Sequence, residues 1–289
     1  MPISWDELQL YNIDLHFHAG NERPPQYSMR DYIDFALASG RKIVGITDHF
    51  GFYLGRNPAA WNHYPGSIEG YTRFCRDILE LRRERPDAVL LAGPEIGLND
   101  LETGAAEPAF SAPAADFFMG EPGRFEGELG EYLIDAIEIT AEARNRYGCP
   151  GFLSHPLRHS INTRLGKTGP GPRMPRLPPL PPLSKMDDPQ NEIEEFFGID
   201  THRLARTSAR LDIPIEINQA SWIRILRMNH QGFLDRYLFL YRMLIQKGAK
   251  VVLGSDTHGI ENPYSTPFVA AGLLGVEPRD ITFLAPWVD

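Results

Sequence analysis

The chain has 289 residues and a formal net charge of −9. That length suits one α/β barrel spanning 1–289, and a chain of this size buries about 75% of its unfolded surface, so its core needs no disulfide staples. The acidic balance excludes a non-specific nucleic-acid binder, which needs a basic face; the absence of any apolar run near 20 residues and of a basic-then-apolar start in MPISWDELQL predicts a soluble, cytoplasmic protein with no membrane partner.

Short apolar runs alternate with longer segments of helical period, the pattern of parallel strands joined by helices. Seven strands are expected, at 12–18, 42–49, 89–97, 116–122, 150–156, 214–221 and 251–258. Helices are expected at 29–39, 67–85, 131–148, 190–210 and 232–247, with a short one near 266–274. Gly40, Gly148 and Gly248 fall where helices should stop, since glycine accepts the left-handed cap conformation. Cys75 and Cys149, one in a helix and one just before a strand, read as free thiols in a reducing compartment.

Two stretches break the rhythm. Residues 98–115 show little apolar periodicity and read as a loop. Residues 157–189 are proline-dense and carry Arg158, Arg164, Lys167, Arg173, Arg176 and Lys185 in an otherwise acidic chain. Proline fixes φ and removes a donor, so this insertion is expected to be extended or polyproline-like; its charge would suit a mobile lid over an anionic substrate, and a partner-docking proline segment and a plain insertion are the other readings.

The chemistry is announced at the carboxyl ends of the strands. His16 and His18 end the first, Asp48 and His49 the second, Glu95 the third, His155 the fifth, and Asp256 and His258 the last. In a parallel barrel those ends share one face. Residues two apart on a strand point the same way, so His16 and His18 can reach one ion, as can Asp256 and His258. Imidazoles mixed with carboxylates suit zinc, manganese or iron, and a metal removes the cost of burying the carboxylates. The remaining histidines, such as His63, His202 and His230, fall in helix or loop contexts and read as ordinary side chains.

In these motifs the chain resembles the polymerase and histidinol phosphatase (PHP) family. DLHFH (14–18), GITDH (45–49), GPEIG (93–97), LSHP (153–156) and GSDTH (254–258) match its motifs in order. The resemblance implies a distorted seven-stranded, TIM-like (βα)7 barrel with two or three divalent metal ions. By the same resemblance His16, His18, Glu95 and Asp256 would hold one ion, Glu95 and His155 a second, and His49 and His258 a third. It also implies hydrolysis of a phosphate ester, a phosphomonoester favoured, on a small phosphorylated substrate. The chain departs from the pattern at the fourth strand, where the family commonly places Gly-Ser-x-His and Gly120, Glu121, Pro122 and Gly123 stand instead. Glu121 is the candidate replacement ligand, and Glu22 the candidate just beyond the first motif.

Two ions about 3.5–4 Å apart can share a hydroxide that attacks phosphorus in line. Arg158, three residues after His155, is the candidate phosphate clamp. Asp48 either supports the ligands from behind or acts as a general base. Rival readings are an amidohydrolase-type C–N hydrolase, a non-catalytic PHP scaffold and a proofreading nuclease. The first usually places a lysine at a mid-barrel strand end, where this chain offers Glu95; the second would have lost ligands that this chain keeps.

Overall fold

The computed structural model describes residues 3–20, 27–56, 63–113, 115–123, 125, 127–165, 177, 179–259 and 268–289. Strands β1 (Ile13–His18), β2 (Ile43–Thr47) and β3 (Val89–Ala92) form a parallel sheet in that order. Strands β4 (Glu95–Gly97), β5 (Phe118–Glu121), β6 (Gly151–Leu153), β7 (Ile215–Asn218) and β8 (Val251–Gly254) form a second parallel sheet, also in chain order. Every residue of β1, β2, β6, β7 and β8 is buried, which is why these strands read as continuous apolar runs rather than alternating ones.

The expected strand 89–97 is two strands, because Gly93 and Pro94 interrupt it. A Cβ at Gly93 would come 2.0 Å from the Phe117 ring, so the chain bends where only glycine lets that ring approach. Pro94 follows with no N–H to give a ladder. The break carries the chain from the first sheet to the second. Hydrogen bonds still join the two sheets at both margins. Glu95 N–H donates to the Asp48 carbonyl (3.0 Å), His18 N–H to Thr257 O (3.1 Å), and Asp256 N–H to His16 O (2.7 Å).

The helices begin and end on side-chain signals. Ser28 and Asp31 form a capping box at α1 (Met29–Ala38), and Ser67 caps the N-terminus of α3 (Ile68–Glu84), which follows the short α2 (Phe50–Tyr53). The 98–115 stretch holds two short helices, α4 (Leu98–Thr103) and α5 (Glu107–Phe110). Helix α4 buries Leu98 and Leu101, and α5 buries Ala109 beside its N-cap Ala106, too brief a pattern to show a period. Helix α6 (Leu129–Tyr147) ends on Gly148 at φ 66°. The expected helix 190–210 is likewise divided. After α7 (Arg158–Leu165), helix α8 (Pro189–Phe197) stops at Gly198, φ 67°, and Asp200 caps α9 (Thr201–Leu211). Helix α10 (Gln219–Arg227) begins directly after β7, inside the span assigned to a strand, because the Asn218 side chain accepts from Ser221 N–H and starts a helix there. Helix α11 (Gln231–Gln246) starts on His230, whose ring Nδ1 accepts from Phe233 N–H. Helix α12 is Phe268–Leu273. Cys75 and Cys149 are free and buried, and among the described residues no helix is long and apolar enough to cross a membrane.

The proline-dense insertion differs from its expected extended form. Its first part is helix α7, since no proline occurs between Pro156 and Pro170 to block a helix. Residues 166–176 and 178, the centre of the expected lid, lie outside the described residues. The part from 179 onward is fastened down by Arg236 of α11, which is fully buried. Its guanidinium donates to Glu192 Oε1 (2.6 and 3.1 Å) and to the carbonyls of Pro181 (3.1 Å) and Gly232 (3.0 Å). The Phe196 ring lies 5.3 Å away. Arg236→Ala is therefore expected to cost about 3 kcal/mol, because it strips Glu192 of its cation and leaves a void. Urea denaturation measures this, and a loss under about 1 kcal/mol would mean the contact does not hold the segment.

Candidate metal centre

The strand ends deliver five imidazoles and three carboxylates to one place. His16 and His18, alternate residues of β1, bring their Nε2 atoms to 3.0 Å of each other. Glu95, the first residue of β4, sets Oε2 at 3.6 Å from His16 Nε2, 3.5 Å from His18 Nε2 and 2.9 Å from His49 Nδ1. Its other oxygen, Oε1, lies 2.6 Å from His155 Nε2, just beyond β6, and accepts from the Ser154 hydroxyl at 3.3 Å. Asp256, beyond β8, places Oδ1 at 3.8 Å from His16 Nε2, 3.6 Å from His18 Nε2 and 3.1 Å from His258 Nδ1. Glu121 ends β5 with Oε2 3.6 Å from His49 Nδ1. Asp256 sits at φ 55°, a left-handed conformation that aspartate tolerates better than most residues, and this turns its carboxylate back toward the cluster.

The donor set fits divalent ions. Ligand atoms about 2.0–2.1 Å from one tetrahedral zinc stand roughly 3.3 Å apart. His16 and His18 Nε2 stand 3.0 Å from each other, 3.5–3.6 Å from Glu95 Oε2 and 3.6–3.8 Å from Asp256 Oδ1. Glu95 Oε2 is buried and accepts no hydrogen bond, although three imidazole nitrogens converge on it. Such an atom is costly unless a proton or a cation lies between it and its neighbours. Two further groups have donor atoms within 4.8 Å of one another, namely His49, Glu95 and Glu121, and His18, His49 and His258.

The electrostatics show how closely charges are packed. Burial opposes charge on His16, yet Glu216 and Glu95 outweigh it and raise the ring to about 10. Burial would lift the Glu95 carboxyl, but His49, His16 and His155 hold it well below the usual range. Burial and then Arg158 push His155 down.

The other sequence candidates fall around this cluster. Arg158, at the start of α7, pairs with Asp256 Oδ2 and keeps 26% of its side chain exposed. Asp48 accepts from the Tyr53 hydroxyl (2.6 Å) and from His49 N–H (2.9 Å), and Gly20 packs over its carboxylate with no room for a Cβ. These contacts brace the strand end that presents His49. Glu22 lies outside the described residues.

Two buried carboxylates were not anticipated as part of the site. Glu216, in β7, lies 2.9 Å from His16 Nδ1; burial works against its charge, but His16 holds its pKa below the ordinary value. Asp14, the first residue of the DLHFH motif, takes Arg41 Nε (2.9 Å) and the N–H of Ser255 (2.9 Å), tying β1 to the turn after β8. The available signal was a charge inside a run otherwise read as fully buried strand, IEIN for Glu216 and IDLHFH for Asp14.

Parallel strands joined by helices, with a nitrogen and oxygen cluster at their carboxyl ends, define an α/β protein with a metal-competent centre. Among solved structures the chain is similar to histidinol phosphate phosphatase (HisK) from Lactococcus lactis subsp. lactis Il1403, determined with zinc, L-histidinol and phosphate. The two share 18% identity, with a TM-score of 0.56 over 91% of this chain and 92% of that one. It is also similar to the putative histidinol phosphatase HisK from Listeria monocytogenes, at 11% identity and a TM-score of 0.54 over 87% of this chain and 98% of that one. At these identities the likeness is one of fold. A scan against protein-family models finds no match, and a comparison with curated proteins finds none.

Proposed function

We propose that the protein is a metal-dependent phosphomonoesterase of PHP type, its parallel strands forming a distorted barrel with the cluster at its mouth. The observation that carries this reading is the His16 and His18 pair, 3.0 Å apart at Nε2, with Glu95 and Asp256 oxygens each 3.5–3.8 Å from both rings. Glu95 is shared with a second set, His49 and Glu121. The ions, when bound, supply a water ionised near neutral pH and Lewis acidity toward the phosphoryl oxygens.

The protein's own groups do the rest. Glu95 faces His155 with one oxygen and His49 with the other, so a single carboxylate can serve two ions. Glu121 supplies an oxygen where the family commonly has a histidine. His49 and His258, both within ligand distance of His18, complete a third set. Asp48 acts as a positioning residue rather than as a base, since its contacts with the Tyr53 hydroxyl and the His49 N–H brace His49 from behind. Arg158 is the cation at the rim of the cluster and would neutralise a phosphate oxygen. The neighbour's phosphate and L-histidinol support a small phosphorylated substrate for this chain, with zinc as the first metal to test.

Protein purified without added metal should contain, or take up, at least two zinc or manganese ions per chain. It should release phosphate from one member of a panel that includes histidinol phosphate, sugar phosphates and nucleotides, and a chelator should stop the release. A protein that binds neither metal, or binds metal and cleaves no phosphoester, would remove this function.

A further inference from the structure

Glu216 lies in the middle of β7 with no exposed surface, and both of its oxygens are engaged. Oε1 lies 2.9 Å from His16 Nδ1 and accepts from Asn218 Nδ2 at 3.1 Å. Oε2 accepts the backbone N–H of His155 at 2.5 Å. A carboxylate ringed in this way acts as an acceptor throughout, so the proton between it and His16 resides on Nδ1. Nε2 is then the His16 nitrogen turned toward His18, Glu95 and Asp256, and the one left to meet an ion.

The neighbouring strand is shaped around this contact. A Cβ at Gly254 of β8 would fall 1.9 Å from Glu216 Oε1 and 2.5 Å from the Cβ of His16. No larger residue fits without separating the pair. A buried carboxylate and a residue with no side chain thus occupy adjacent strands, a costly arrangement for a purely structural core.

We infer that Glu216 is a positioning residue that fixes the tautomer and orientation of His16 and, through the His155 backbone, the approach of a second ligand from β6. It holds no ion itself. One carboxylate on β7 thereby sets ligands on β1 and β6, and Gly254 keeps the space for it. This inference rests on the metal-dependent reading above.

Glu216→Gln tests it, because a carboxamide offers one acceptor and one donor and cannot accept from both His16 Nδ1–H and His155 N–H. Zinc affinity is read by competition with a chromophoric chelator, and thermal melting is followed with and without zinc. The expected result is roughly 10–100-fold weaker binding of at least one ion, a smaller rise in melting temperature on adding zinc, and a fall in kcat with little change in KM. Glu216→Asp, which keeps the charge but is one methylene too short to span both partners, should show the same weakening and serves if the glutamine variant does not fold. Wild-type zinc affinity in a folded variant, with lower metal-free stability as the only change, would overturn the inference while leaving the proposed function standing. Failure of the wild-type protein to take up zinc or manganese would overturn both.

Discussion

Replacing His16 and His18 together by alanine should lower phosphoester turnover by at least about 10⁴-fold, since the two rings supply half of the donor set proposed for the first ion. Their Nε2 atoms stand 3.0 Å apart. The same variant should also lose stability. Glu216 would keep only Asn218 and the His155 backbone, and Glu95 and Asp256 would each lose two imidazole neighbours. Stripping partners from buried carboxylates costs about 3–5 kcal/mol where they stay ionised, and less where they take up a proton. Steady-state assays and urea melts of the same preparation separate the two effects. Turnover within tenfold of wild type in that variant would exclude these residues from the site.

Glu95→Gln should be far more damaging than Glu121→Gln. Glu95 is buried and stands within 3.6 Å of nitrogens from His16, His18, His49 and His155. An amide in its place turns an NH₂ group toward some of those nitrogens and leaves one oxygen to serve two positions, so kcat should fall at least about 10³-fold. Glu121 has 30% of its side chain exposed and stands 3.6 Å from His49 Nδ1. Its loss can be made up by water, and a fall of about tenfold is expected. Equal losses in the two variants would mean that Glu95 is not the shared ligand.

What could be read from the sequence was what repeats with a short period or is forced by burial. Strand positions came from apolar runs, helices from their apolar period and their ends from glycines such as Gly148, so α1, α3, α6 and α11 lie within two residues of their expected limits. The cluster could be anticipated because alternation on a strand places His16 beside His18. The divided strand at Gly93–Pro94 was missed because apolar character continues across the break, and only the Phe117 ring, twenty-four residues on, shows why the chain must bend there. The helix expected over 190–210 was left undivided because its break rests on Gly198 at φ 67° and on the Asp200 side chain accepting from Arg203 N–H, which the apolar period alone does not show. Glu216 was passed over because its role depends on His16, two hundred residues away. No local pattern carries that pairing.

The division of the strands has a mechanical meaning. His16, His18 and His49 come from the three-stranded sheet and its extensions, whereas Glu95, Glu121 and His155 come from the five-stranded one. Backbone hydrogen bonds join these halves at each margin, such as Glu95 to Asp48 and His18 to Thr257. The cluster therefore sits on the seam between the two sheets. An ion held by ligands from both sheets would work as a rivet, so the strength of metal binding and the rigidity of the seam would be one property: whatever loosens the seam also spreads the ligands.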